Sequence, residues 1–108
     1  MAEFVIKKGD LLPKIRIALT NTSGTALDLT GATAEFRMRL REGAIKIDDA
    51  VMSVVAPATG GIVEYTWAGT DTDTVGVYDS EVILTYVNGT QTIPSAGFVT
   101  VIVAPTLA

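Results

Sequence analysis

The chain has 108 residues, 48% of them hydrophobic, with eight Lys and Arg against 12 Asp and Glu and a net charge of −4. It contains neither Cys nor His, which excludes disulfide staples, thiolate zinc sites and the commonest general base. The acidic balance argues against nucleic acid as a partner, because phosphate binding needs a basic face, and the length fits one domain over residues 1–108.

In chain order, Glu3 to Ile6 reads as a first strand and Lys8-Gly9-Asp10 as the turn after it. Ile15, Ile17 and Leu19 then alternate with Lys14, Arg16, Ala18 and Thr20, and turn residues follow at Thr22-Ser23-Gly24 and Thr30-Gly31. Ala34, Phe36, Met38 and Leu40 alternate with Glu35, Arg37, Arg39 and Arg41, ending at Glu42-Gly43. After Thr59-Gly60-Gly61 the same period recurs in Val63, Tyr65 and Trp67. Beyond the segment from Asp71 to Gly76 it recurs in Tyr78, Ser80, Val82, Leu84 and Tyr86. Asn88-Gly89 is a strong hairpin signal, predicting a type I′ turn into a short strand through Thr90, Thr92 and Ile93. Phe98, Thr100 and Ile102 against Val99, Val101 and Val103 form the last strand.

Strict alternation means strands with one face on a core and the other toward solvent. No helical periodicity competes with it, and no run approaches the roughly 20 consecutive apolar residues of a spanning helix. The N-terminus lacks the basic-then-apolar pattern of a secretory signal, so a soluble protein in a reducing compartment is expected. The fold expected is an all-β, immunoglobulin-like antiparallel β-sandwich of seven to nine strands. Its core should hold Ile15, Ile17, Leu19, Phe36, Met38, Tyr65, Trp67, Tyr78, Val82 and Leu84.

Few residue groups carry chemistry. Asp71-Thr72-Asp73-Thr74-Val75-Gly76 begins like a calcium loop, but Val75 and Val82 stand where oxygen ligands are required. Two readings stay open for it: a looser cation site on Asp71 and Asp73, or a turn whose side chains cap backbone N–H groups. Gly76-Val77-Tyr78 resembles a tyrosine corner, with Ser80 where antibody domains have Cys. Asp48-Asp49 fits a solvated bend or bulge better than a catalytic carboxylate pair, since successive strand side chains diverge. The serines have no His to activate them. Asn21-Thr22-Ser23 and Asn88-Gly89-Thr90 are glycosylation sequons in form and turn sequences in context. Trp67 with Tyr65 is either core or an exposed platform for a sugar. The residues thus predict no catalytic site, cofactor or metal.

The charge layout is lopsided. All eight cations lie at or before Lys46, for a net of +3 there, whereas residues 47–108 carry seven acids and no cation. No charge follows Glu81. An uncharged C-terminal third suggests either buried sheet or a face hidden by neighbouring subunits, and the asymmetry favours head-to-tail contacts. Terminal strands often lie at sheet edges, where unpaired N–H and C=O groups invite strand addition. Glu3, Val5, Val99, Val101 and Val103 are therefore the predicted partner interface.

Several blocks together carry a family resemblance: Phe4-Val5-Ile6-Lys7-Lys8-Gly9-Asp10, Leu27-Asp28-Leu29-Thr30-Gly31-Ala32-Thr33, Glu35-Phe36-Arg37-Met38-Arg39 and Gly61-Ile62-Val63-Glu64-Tyr65-Thr66-Trp67. Gly76-Val77-Tyr78 and the Asn88-Gly89 pair ahead of Ile93-Pro94 continue the same order. Over residues 4–103 the chain resembles the immunoglobulin-like N-terminal domain of tailed-phage baseplate upper proteins and related small phage structural proteins. The resemblance implies a non-enzymatic virion component, assembled in the host cytoplasm and binding other virion proteins in a multi-copy, homo-oligomeric setting. It leaves the location open among baseplate, tail, head–tail junction and capsid surface. It covers the attachment module and not the receptor-binding segments of such proteins. A carbohydrate- or host-surface-binding sandwich is the alternative.

Overall fold

A computed structural model describes residues 3–21, 23–41, 43–93 and 99–106. Thr22, Glu42, Pro94 and Phe98, which figure in the expected turns and strands, lie outside the described residues. Among these residues eight strands form: β1 (Glu3–Lys7), β2 (Ile15–Ala18), β3 (Thr33–Leu40), β4 (Ile45–Val54), β5 (Ile62–Tyr65), β6 (Gly76–Tyr86), β7 (Gly89–Ile93) and β8 (Val99–Ala104). The only helical segment among the described residues is a 3-10 turn at Ala58–Gly60, so no helix is long and apolar enough to cross a membrane.

The strands run in the order β1-β8-β6-β3-β4-β5-β2, with β7 attached to β6 beside that path. The result is the all-β sandwich expected from the alternation, closed almost into a barrel. β6 is its spine. One side of β6 pairs with β3 from Leu40↔Tyr78 to Thr33↔Thr85. On the other side β8 takes the first half and β7 the second. One pair departs from the antiparallel expectation: β1 and β8 run parallel, from Glu3↔Thr100 to Lys7↔Ala104.

β4 is the strand that alternation misses. Between Phe36↔Ala50 and Met38↔Ile47 it carries Asp48 and Asp49 against the single Arg37, and a second register shift follows before Arg39↔Ile45. The inward residues Ile47, Ala50 and Met52 are thus unevenly spaced, which removes the period-two signal. Asp49 adopts φ 55, and the bulges coil β4 so that Ser53 and Val54 leave β3 and pair with β5 in the second layer.

Nine of the ten expected core residues are buried, and Ile17 is partly so. Phe36, fully buried, stacks on Tyr65 at 5.1 Å between ring centroids, with Trp67 edge-on to both. Such pairs add to the area term of burial. Leu29, Ile47, Met52, Val101 and Val103 complete the cluster. Gly61 shows why a glycine closes the turn before β5. At φ 69, a Cβ there would lie 2.7 Å from the Leu19 carbonyl oxygen and 2.9 Å from the Leu27 nitrogen. Bare, it lets the Leu19 N–H donate to its own carbonyl at 2.7 Å.

The hairpin expected at Asn88-Gly89 forms one residue earlier. Tyr86 pairs with Gly89, so the turn is Val87-Asn88, and neither residue has a positive φ. Type I′ geometry is therefore absent.

Candidate assembly surface

The segments that resembled chemical sites are used to hold loops. The Asp71 carboxylate accepts from the Ala68 N–H at 2.9 Å and the Tyr65 hydroxyl at 2.6 Å. Burial, then this bond, pushes the Tyr65 hydroxyl above the ordinary tyrosine value. Asp73 accepts from Lys46 and from the Thr74 hydroxyl; the Lys46 bond lowers the Asp73 pKa and raises that of Lys46. Both acids are thereby engaged as caps and ion pairs, the second of the two readings. Among the described residues no three Asp or Glu side chains gather in a way that could hold a metal ion. Trp67 is 1% exposed and donates its indole N–H to the Pro13 carbonyl, so it offers no platform to a sugar.

Tyr78 forms the corner that its motif resembled, donating to the Thr74 carbonyl at 2.7 Å. Two residues on, buried Ser80 donates to the Val99 carbonyl at 2.8 Å. From the position where antibody domains carry a Cys, a neutral hydrogen bond thus links β6 to its sheet neighbour β8. Asn21 Oδ1 accepts from the Ser23 and Thr25 N–H groups, an Asx-type turn at the first sequon. Asp28 Oδ1 accepts from the Thr30 hydroxyl and N–H, and these bonds lower its pKa.

The charge asymmetry is resolved inside the chain. Antiparallel pairing lays basic strands from the first half against acidic positions of the second. Arg16 pairs with Glu64, Arg37 with Glu81, Arg41 with Asp79 and Lys46 with Asp73. Arg37 also takes Asp49 from the β4 bulge at 2.8 Å, and the hydrogen bond to Asp49 raises its pKa. Glu64 is held below its ordinary value, chiefly by the Arg16 hydrogen bond. The charges expected to orient head-to-tail neighbours are thus largely neutralised within one molecule. An open depression of 310 Å³ on the β3–β6 face, lined by Arg37, Arg39, Ile45, Asp79 and Glu81, shares these pairs.

The predicted interface divides in two. Val99, Val101 and Val103 are 9%, 0% and 1% exposed and belong to the core. β8 is not an edge, because β1 covers one side and β6 the other. Its uncharged sequence serves burial, and a contact through these three side chains would empty the core. Glu3 and Val5 are at the surface, on β1, which is an edge. Val5 is 55% exposed. The Lys8 N–H donates to the Ala104 carbonyl at 2.8 Å, setting which β1 residues face β8. By alternation, the backbone groups of Glu3, Val5 and Lys7 face the open side. The Lys7 carbonyl there accepts from the Asp10 N–H.

β7 is a second edge. Among the described residues it pairs only with β6; it carries no charge, and four of its five residues are exposed. Sequence reasoning treated it as half of a hairpin; the signal that marks it as an edge is Thr and Gln on both faces, with no inward apolar row.

No curated protein and no solved structure shows a match to this sequence. The BppU N-terminal domain family matches residues 5–107. That span takes in every strand but the first two residues of β1, so the chain belongs to the family of N-terminal domains of phage baseplate upper proteins.

Proposed function

We propose that the chain is a non-enzymatic structural module of a phage particle, folding as one domain and binding other virion proteins in a multi-copy assembly. Membership of the baseplate family carries this reading. The engagement of Asp71, Asp73, Asp49 and Glu64 in caps and ion pairs supports it, since none of them is left for acid–base work. Docking occurs at the β1 edge, where Glu3 and Val5 turn their backbone groups to the side away from β8 and a neighbouring chain can add a strand. Val99, Val101 and Val103 contribute indirectly, by anchoring β8 beneath β1. The protein is made in the host cytoplasm and retained in the virion, in the baseplate or another tail position.

Purified particles carrying Val5→Pro test this. At position 5 the N–H faces outward, so proline spares the β1–β8 ladder and removes one donor from the edge. The expected result is a folded protein lost from particles. Normal incorporation would overturn β1 as the docking edge, and absence of the unmodified protein from purified particles would overturn the virion assignment.

A further inference from the structure

The β1 edge is complementary to itself. Its outward side chains are Glu3, Val5 and Lys7, a negative, an apolar and a positive group in succession. When two copies of β1 meet antiparallel about a two-fold axis through Val5, Val5 faces Val5 of the second copy. Glu3 then faces Lys7, Lys7 faces Glu3, and Phe4 faces Ile6 on the inner side. The backbone phase agrees with this register. Glu3, Val5 and Lys7 direct their N–H and C=O groups to the open side, so Val5 faces Val5 as a full hydrogen-bonded pair, while in each Glu3–Lys7 pair the Lys7 carbonyl is shared with the Asp10 N–H of its own chain. Any register shifted by two residues would lose the central Val5 pair and bring Lys7 opposite Val5 or beyond the strand.

The geometry points to a second copy of this chain as the occupant of the β1 edge, joined by antiparallel β1–β1 pairing centred on Val5. This rests on the reading of β1 as the docking edge and names its partner. The contact is isologous, so it closes as a dimer and does not propagate into fibres. The other edge strands have no such charge code: β7 is uncharged, and β2 exposes Arg16, whose charge is taken by Glu64. Five residues bury less than the roughly 1,200 Å² of a standard interface, so the dimer is weak alone and is reinforced where particle geometry holds copies together.

Cross-linking tests the pairing, since the chain has no cysteine of its own. In the hydrogen-bonded pair, the two position-5 Cα atoms lie about 5.5 Å apart, within the reach of a disulfide. Val5→Cys should therefore cross-link under mild oxidation on the order of tenfold faster than Val51→Cys, whose site is exposed on β4. Adding Glu3→Lys to Val5→Cys, or Lys7→Glu to it, replaces two attractions with two repulsions and should slow cross-linking roughly three- to tenfold. Adding both together restores the pairing and should restore the rate. Equal rates for Val5→Cys and Val51→Cys, or no rescue by the double exchange, would overturn self-pairing. If self-pairing fails while Val5→Pro is still excluded from particles, the edge serves a different virion protein and only this inference falls. If Val5→Pro is incorporated normally as well, the docking reading falls with it.

Discussion

β1 and β8 lie side by side, parallel and in register, yet among the described residues only β8 has a second strand neighbour. On β8 every second residue is buried, Val99, Val101 and Val103, whereas on β1 only Ile6 is fully so. Both are short and stand near an end of the chain, but β8 carries no charge and β1 carries two. What separates them is pairing: β6 is long enough to offer Gly76–Ser80 to β8, and among the described residues no strand pairs with the far side of β1. Charge content follows this difference. On β8 it reflects burial, where a charge would be unsolvated. On β1 the charges survive at Glu3 and Lys7 because water still reaches them.

The largest expected effect breaks this contrast directly. Val101→Lys places an ammonium in a site that is 0% exposed and should abolish folding, a loss of more than about 4 kcal/mol. Val5→Lys, on the neighbouring strand, should change stability by no more than about 0.5 kcal/mol. Chemical denaturation of the two proteins checks both, and similar losses would erase the distinction between interior and edge.

Next in size is Phe36→Ala, which removes the ring packed against both Tyr65 and Trp67 and should cost about 3–5 kcal/mol. A melting temperature unchanged by that substitution would sink the aromatic core. Ser80→Ala is smaller. It takes away the buried bond to the Val99 carbonyl and should cost about 1 kcal/mol, read from the urea midpoint. That loss reports how firmly β8 is held to β6.

The smallest effects come from surface charge. Asp28, Glu64 and Asp73 have lowered pKa values, so each contributes stability that is present above its unfolded value and lost as pH falls through its folded one. Lys46 and Tyr65 are raised, so their contributions are present below their unfolded values and lost at alkaline pH. The melting temperature should hold level between about pH 5 and 9 and fall on both sides. In the Glu64→Gln protein the acid limb should become shallower.

How far the residues themselves reveal the molecule depends on which interaction is asked about. Tyr78, Ser80, Val82 and Leu84 announce both the strand and its inward face, because period two is a property of the backbone. The Tyr78 corner is legible for a similar reason: its partner, Thr74, is four residues away. β4 is hidden because two bulges break the period, and the turn at Val87-Asn88 is displaced by one residue because the Gly89 backbone is used as strand. The candidate surface is half legible. The place of Glu3 and Val5 in a terminal strand predicts their exposure at a sheet edge, but the same argument selects Val99, Val101 and Val103, which the structure buries.

The sequence by itself determined the class of fold, the side of each regular strand that turns inward, and the absence of His and Cys chemistry. These are local or compositional properties, and every copy of the chain carries them before it folds. Tertiary structure alone decided which strand became an edge and which charges met. Pairing partners lie far apart along the chain, as Lys7 and Ala104 do across β1 and β8 and Arg16 and Glu64 do across β2 and β5. A basic first half and an acidic second half thus look like a signal to neighbours in the sequence. In the folded molecule antiparallel strands set much of one against the other, while Glu3 and Lys7 stay exposed on the edge strand β1.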